Sequence, residues 1–417
     1  MKLVSKNILA SLNAIFEQGK KVTEVSELFT HNREAMILNT ALKYHLRIFA
    51  FLDKHSPKKL QGEEKLFWLI ILADVHFSHK LSKEEIVSDL NNFYISEHKL
   101  NLEAAQSLFN LSLQFNGLLP KVSKEEQESD AYFGLLYNLP PGLIKMWRKN
   151  INPRIFMPLL RKVNNDALPQ VKLNIKDGKL ENILTKPYAY KKGPVTNTFT
   201  YTGIDLENDA AFLNNEIYLH NFALEQALKY LPLKKGDECL IIDENRSNSV
   251  VDLSLTFSKQ LKIDLALPSL QDELYFEQID KYYDLSNVFL YKADHNLLIT
   301  FIRSKKDAVI IFPKSSSFDK IRKEADFFVH FDMSKLDQII AHQEATLNEA
   351  ASHVIKGGHL LYLVDTFSNK ESHALISEFL ESNPNFTLVK EKQFLPFDKY
   401  DTIFYYALLK RKEDEDA

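Results

Sequence analysis

From about Glu216 the chain settles into one repeated pattern, in which a short apolar run alternates with a stretch at helical spacing. The runs are "ECLIID" (238–243), "IDLALP" (263–268), "NVFLYKA" (287–293), "DAVIIFP" (307–313) and "HLLYLVD" (359–365). Continuous apolar runs of this length mark strands buried on both faces, which belong to parallel sheets covered by helices. Helical crossovers between them wind right-handedly into one open sheet. "FTLVKEKQF" (386–394) and "TIFYYALLKR" (402–411) then follow each other with no helix between them. That final pair predicts an antiparallel hairpin at one edge.

The first 135 residues read as all helix. "NREAMILNTALKYHLRIFAFLDKH" carries apolar positions three and four apart without Gly or Pro. Ser82 with Glu85, and Ser123 with Glu126, stand at capping-box spacing. Pro57, Gly62, Gly117 and Pro120 fall between these segments, and a bundle of short helices is the natural reading. At "NLPPGL" (138–143) two prolines interrupt the pattern. The residues up to 212 mix short helical and strand-like pieces, among them "PQVKLNI" (169–175) with Lys172 and Asn174 to one side. The expected fold is therefore α/β with an all-α N-terminal domain. Its expected divisions are 1–135 helical, 136–212 linker and small α/β connector, 213–411 open sheet, and an acidic tail at 412–417.

A chain of 417 residues with 45% hydrophobic and 26% charged residues suits two or three core-forming domains. The formal net charge of −4 excludes a global basic field, so any RNA contact has to rest on a local patch. The best such patch is "RKNINPRIFMPLLRKVNND", with Arg148, Lys149, Arg154, Arg161 and Lys162. The N-terminal segment has no uninterrupted apolar core or small-residue cleavage site, so no signal peptide is expected. The longest apolar run, Leu66 to Ala73, is too short to span a bilayer. A single cysteine, Cys239, rules out an internal disulfide framework and fits a reducing, cytoplasmic setting. His76 and His79 have helical spacing but no third metal ligand nearby. A monomer is expected.

The order of segments resembles the bacterial 16S ribosomal-RNA cytosine-5 methyltransferases of the RsmB (Sun/Fmu) type over nearly the whole chain. "AAQSLFNLSLQ" (104–114), with Asn110, is similar to the last helix of that family's NusB-like RNA-binding domain. "PQVKLNI" resembles its Arg-Val-Asn segment, with Lys172 for the arginine. "FLNNEIYLHNFALEQALKYLPLKKGDECLIID" (212–243) resembles the approach to the catalytic domain, with His220-Asn221 where the family usually has Gln-Asp. "KGGHLLYLVDTFSNKES" (356–372) and "FYYALLKRK" (404–412) resemble the nucleophile-bearing strand and the usual ending. The resemblance implies a Rossmann-like class I S-adenosylmethionine (SAM) methyltransferase domain, SAM as cofactor and ribosomal RNA as partner.

Residue by residue, the implied site is altered. The family's cofactor loop, Ala-Ala-Pro-Gly-Gly-Lys-Thr, lets backbone N–H groups approach the SAM carboxylate. Here it reads "LIIDENRSNSV" (240–250), with Glu244, Asn245 and Arg246 for Ala-Ala-Pro, Ser247-Asn248 for the Gly pair and Ser249 for the lysine. The acidic ribose contact after the next strand is replaced by Leu267, Pro268 and Ser269, while Asp294 stands at the third acidic position. The two family cysteines, a nucleophile and a release group, are replaced by Asp365 and Lys314. Thiolate is used in that chemistry because it attacks near neutral pH and can later leave, and neither a carboxylate nor an ammonium does both.

Each position also has a plainer reading. Asp365, at the carboxyl end of its strand, can cap the turn that follows; Lys314 can be a loop lysine or a phosphate contact; Asp294 can be a turn aspartate. Gly357-Gly358 is expected to close the preceding helix. Three functions stay open: a catalytically degenerate RNA-binding relative, a SAM-dependent methyltransferase working without thiols, and a module that docks another protein.

Overall fold

The computed structural model describes residues 4–26, 29, 32–97, 102–174, 180–203, 206–245, 247–267, 270–291 and 304–413. Asp294, Arg246, Pro268, Ser269 and the last four residues of the acidic tail lie outside the described residues. Contacts divide the chain into two units. One is Met1–Asn164 with Lys320–Met333; the other is Asn165–Asp319 with Ser334–Ala417.

The first unit is helical. Helix Gly62–Ala73 buries every residue from Leu66 to Ala73, so that long apolar run is a central helix surrounded by others. It packs with Val4–Gln18 and Asn32–His55 around a core that includes Ile8, Leu12, Leu38 and Leu42. Ser82 and Glu85 form a full capping box at the start of Lys83–Asn91. Ser123 and Glu126 make the same reciprocal bonds but open only a single 3₁₀ turn.

The double proline does not mark a linker. Helix Asp130–Tyr137 stops at Asn138 in the left-handed conformation, and Pro141 occupies the first turn of helix Pro141–Asn150. Proline is tolerated there because that N–H would be unpaired in any case. Arg47 closes the first of these helices by donating to the carbonyls of Leu135 and Leu136. The helical unit consequently runs to Asn164, past the expected division at 135, and takes in Pro141–Asn150 and Pro153–Val163. It also takes in residues 320–333, where buried Asp326 accepts the backbone N–H of Val22, 2.9 Å away, at the start of helix Val22–Ser26.

The second unit holds two sheets. Strands β1 (Gln170–Leu173), β2 (Tyr190–Lys192), β3 (Thr198–Tyr201) and β4 (Ile217–Leu219) form a small antiparallel sheet in the order β2-β3-β1-β4. Strands β5 (Glu238–Asp243), β6 (Lys262–Ala266), β7 (Val288–Tyr291), β8 (Lys306–Phe312), β9 (Val354–Val364), β10 (Phe386–Phe394) and β11 (Phe404–Arg411) form the large sheet. Its order is β10-β11-β9-β8-β5-β6-β7, with β5 to β9 parallel and β11 antiparallel to both neighbours. Alternate residues feed two cores, as the period of a strand requires: Cys239 and Ile241 face one, Leu240 and Ile242 the other.

Gly357-Gly358 does not close a helix. Helix Leu336–Ser352 ends before it, and the glycines lie inside β9. Pairing with β8 jumps from Lys306↔Val354 to Ala308↔His359, so β9 carries extra residues there. Gly357 takes φ +75°, and a Cβ on Gly358 would stand 2.9 Å from the Asp307 carbonyl oxygen. A bulge with a close backbone approach selects glycine for the same conformational freedom as a helix cap. No described helix is long and apolar enough to cross a membrane.

Candidate functional site

Strand order reverses between β5 and β8, because the chain builds outward through β6 and β7 and then returns to the other side of β5. In open α/β sheets ligands bind at the carboxyl ends of the strands flanking such a reversal. The loops that follow β5 and β8 are the candidate site.

These two loops are bonded to each other. Glu244 donates its N–H to the Phe312 carbonyl at 3.0 Å, and Asn245 Nδ2 reaches the carbonyls of Phe312 (3.0 Å) and Pro313 (2.7 Å). In return Lys314 donates its N–H to Glu244 Oε2 at 2.7 Å. His342, on helix Leu336–Ser352, places Nε2 2.9 Å from both oxygens of Glu244.

The would-be cofactor cradle is occupied by the chain's own carboxylate. Asp243, buried at the end of β5, accepts the N–H groups of Asn245 and Ser247, each at 2.9 Å. The hydroxyls of Ser247 (2.6 Å) and Ser249 (3.2 Å) complete its shell. Burial pushes the Asp243 carboxyl upward, against the pull of these donors. Asn248 takes φ +60° at the head of helix Ser249–Thr256. Its side chain donates to the Leu219 carbonyl at 2.9 Å and accepts from the Tyr275 hydroxyl at 3.1 Å. Ser247 and Asn248, the expected cofactor contacts, thus sit on the expected loop with their side chains already bonded within the protein. The residues present do not fit a cofactor carboxylate: two N–H donors of the loop already hold one.

Lys314 and Asp365 fall on neighbouring loops. Lys314 is exposed, and Ser315 beside it donates its hydroxyl to Asp365. Beneath them lies Glu371, fully buried, which the sequence reading missed. It accepts from Ser316 N–H (2.7 Å), Gln343 Nε2 (3.1 Å) and Thr366 Oγ1 (3.3 Å). Gln343 also donates to the Lys314 carbonyl at 2.9 Å. The two loops are therefore zipped by a hydroxyl and carboxylate network in the place where the family resemblance puts two thiols. The one thiol, Cys239, is fully buried near the start of β5, and burial pushes it up to about 12. Among the described residues, no group of three or more His, Cys, Asp or Glu side chains could hold a metal ion.

The expected RNA contacts separate into two groups. Helix Pro153–Val163 buries Phe156, Leu159, Leu160 and Val163, leaving Arg154 and Arg161, seven apart, exposed on its other face. Lys149 is exposed and Lys162 half-buried, while Arg148 pairs with Asp130 at 2.8 Å and lies over the Phe133 and Phe156 rings. Lys172 departs from expectation. It is buried in the small sheet, with Nζ 3.1 Å from Asp252 and 3.2 Å from Glu225, so its charge faces carboxylates and not a phosphate backbone. His220 completes this cluster, Nδ1 2.9 Å from Asp252 and Nε2 3.2 Å from Glu225.

No family model matches the chain. A curated relative, ribosomal RNA small subunit methyltransferase F of Erwinia tasmaniensis, is 30% identical over 79 residues, which span 19% of this chain and 16% of that protein. Among solved structures, PH0851 superposes with a TM-score of 0.78 at 17% identity, covering 97% of this chain and 98% of the other. A methyltransferase homolog from Pyrococcus horikoshii gives a TM-score of 0.58 at 12% identity over 68% of this chain and 99% of the other. NSun6 from Pyrococcus horikoshii, solved with SFG, gives 0.58 at 12% identity, covering 66% of this chain and 99% of the other. At these identities the shared property is the fold: a Rossmann-like class I methyltransferase core with a helical N-terminal region.

Proposed function

We propose that the chain is an RNA-binding relative of the SAM-dependent ribosomal-RNA cytosine-5 methyltransferases that no longer carries out their chemistry. The observation that carries this reading is the pairing of Ser315 with Asp365 above buried Glu371, in a chain whose sole thiol is sealed inside β5. A carboxylate held by a neighbouring hydroxyl is a poor nucleophile toward a pyrimidine ring, and a buried thiol raised to about 12 supplies no thiolate near neutrality. SAM is the cofactor of the fold relatives, one of them solved with the analogue SFG. Its binding here is weak or lost, since Asp243 holds the loop's N–H groups. RNA recognition then rests on the helical unit, where Lys149, Arg154, Arg161 and Lys162 offer cations along one helix pair.

The test is RNA affinity of the full chain over a salt series. Simultaneous Arg154→Glu, Arg161→Glu and Lys162→Glu should weaken binding to all sequences alike and reduce the log–log slope by roughly 0.7 to 0.9 per lost contact. An unaltered slope would remove this face from the account.

One observation favours a second reading, methyl transfer without thiols. His342 is 40% exposed and rests on the fully buried Glu244 carboxylate at the strand reversal, an arrangement able to accept a proton. Methyl incorporation into RNA that disappears in His342→Gln would select it.

A further inference from the structure

Strand β10 is an edge strand, paired only with β11, and its two faces carry opposite charges. Glu391 turns to one side, where it accepts from the Tyr405 hydroxyl and stands 2.9 Å from His373 Nδ1. Lys390 and Lys392 turn to the other, across from Leu408 and Tyr406. There Lys390 Nζ lies 3.6 Å from the ring centroid of Tyr230, in the segment just past helix Phe222–Leu228. Lys392 Nζ lies 4.5 Å from the Phe394 centroid and 5.3 Å from that of Tyr400, and Lys399 approaches Tyr400 at 5.2 Å. Lys390, with Lys229 and Lys392 close by, holds the Tyr230 phenol below its ordinary range. Four lysines from three separate segments therefore meet around aromatic rings, and among the described residues none of the four pairs with a carboxylate. Tyr230, under the Lys390 ammonium, is 40% exposed.

Lysines on an edge strand often serve only to block pairing with another chain. That purpose needs charges along the edge; it gives no reason for Lys390 to lie over Tyr230 or for Lys399 to share the Tyr400 ring with Lys392. Unpaired cations around an accessible aromatic ring match what a single-stranded nucleic acid requires, a phosphate path beside a stacking platform. Lys390 and Lys392, two residues apart on one face of a strand, are spaced about 6.8 Å along it, comparable to the step between successive phosphates of an extended strand.

We propose that this face of β10 is a second RNA-contacting surface, on which Lys229, Lys390, Lys392 and Lys399 bind the phosphates of a single-stranded segment and Tyr230 stacks on a base. The choice of RNA among polyanions rests on the function proposed above. The surface itself lies in the α/β unit and uses none of the basic helix residues named there.

The experiment is fluorescence anisotropy of the full chain with a dye-labelled single-stranded oligouridylate across a potassium chloride series. The combined Lys229→Glu, Lys390→Glu and Lys392→Glu variant should lower the log–log salt slope by roughly 0.7 per lysine, about 2 in all. The corresponding arginine variant should keep both slope and affinity. Single Lys229→Gln and Lys392→Gln variants, with circular dichroism confirming the fold, give the same reading at about 0.7 each if the triple variant unfolds. Slopes and affinities equal to those of the unaltered chain, while the Arg154, Arg161 and Lys162 variant loses binding, would overturn this surface and leave the RNA reading intact. No RNA binding by the unaltered chain would overturn both.

Discussion

Lys172 Nζ and Asp252 Oδ1 lie 3.1 Å apart in the interior of the α/β unit, and this pair ties β1 of the small sheet to the helix that follows the β5 loop. Glu225, His220 and Tyr218 surround it, with the Tyr218 hydroxyl donating to Asp252 at 2.8 Å. Two carboxylates face one lysine and one histidine, so the cluster is charge-balanced when the imidazole is protonated. Its effect is to hold helix Ser249–Thr256, and with it the Asp243 loop, against the small sheet.

Removing one partner should therefore cost far more than a surface ion pair would. Lys172→Met leaves buried Asp252 and half-buried Glu225 facing one histidine, and the expected loss is about 3–5 kcal/mol. Urea unfolding of the purified variant checks it. A loss below about 1 kcal/mol, the level of an exposed pair, would contradict the burial assigned to the cluster.

The same cluster gives stability a pH dependence with a definite sign. Burial acts to lower the pKa of His220, but Asp252 and Glu225 overcome it and hold the imidazole above the ordinary 6.5. A folded-state pKa raised in this way contributes stability fully below 6.5, and that contribution is lost as pH rises through the raised value. The Lys172, Glu225, Asp252 and Tyr218 groups all face the ring, and Asp252 and Glu225 are held low, so their contribution is lost instead on acidification below the carboxylate range. Comparing the unaltered chain with His220→Gln by urea unfolding on either side of 6.5 should show a difference that shrinks as pH rises. A difference that grows would contradict the assigned charge state.

Cys239 should behave as a packing residue. Its thiol should resist labelling by a disulfide reagent in the folded chain and react only in denaturant, since burial both raises its pKa and blocks access. Cys239→Ala should cost about 1 kcal/mol of stability and leave RNA affinity unchanged. Rapid labelling under native conditions would contradict this.

Calorimetric titration with SAM should give no binding in the low micromolar range. The donors that would receive the cofactor's carboxylate are bonded to Asp243, and Ser247 and Asn248 carry side chains where close backbone approach needs glycine. A low-micromolar dissociation constant would show that the Asp243 shell opens for the cofactor.

Much of the large sheet was legible in the sequence because its signals are local. β5 and β10 fall on the residues that the first apolar run and the first member of the final pair indicated, Glu238–Asp243 and Phe386–Phe394. Where a signal has two physical causes, the reading went astray. Gly357-Gly358 serves a bulge and not a helix end, and Pro140-Pro141 starts a helix where a linker was expected. The Lys172, Glu225 and Asp252 cluster and the Glu371 network were invisible for a different reason. Their members lie far apart in sequence or inside polar turns, and only the packing of the sheet brings them together. That the chain cannot supply a pair of thiols, by contrast, needed no structure to be seen, because it holds a single cysteine.

The most direct test of the central claim follows binding and methyl transfer in one sample. Full-length protein is incubated with small-subunit ribosomal RNA and SAM labelled in its methyl group, RNA retention is measured, and nucleosides are then separated. A chain that binds RNA without this chemistry retains RNA, releases it in salt, and yields no labelled 5-methylcytosine. Labelled 5-methylcytosine that disappears on Asp365→Ala would contradict that claim.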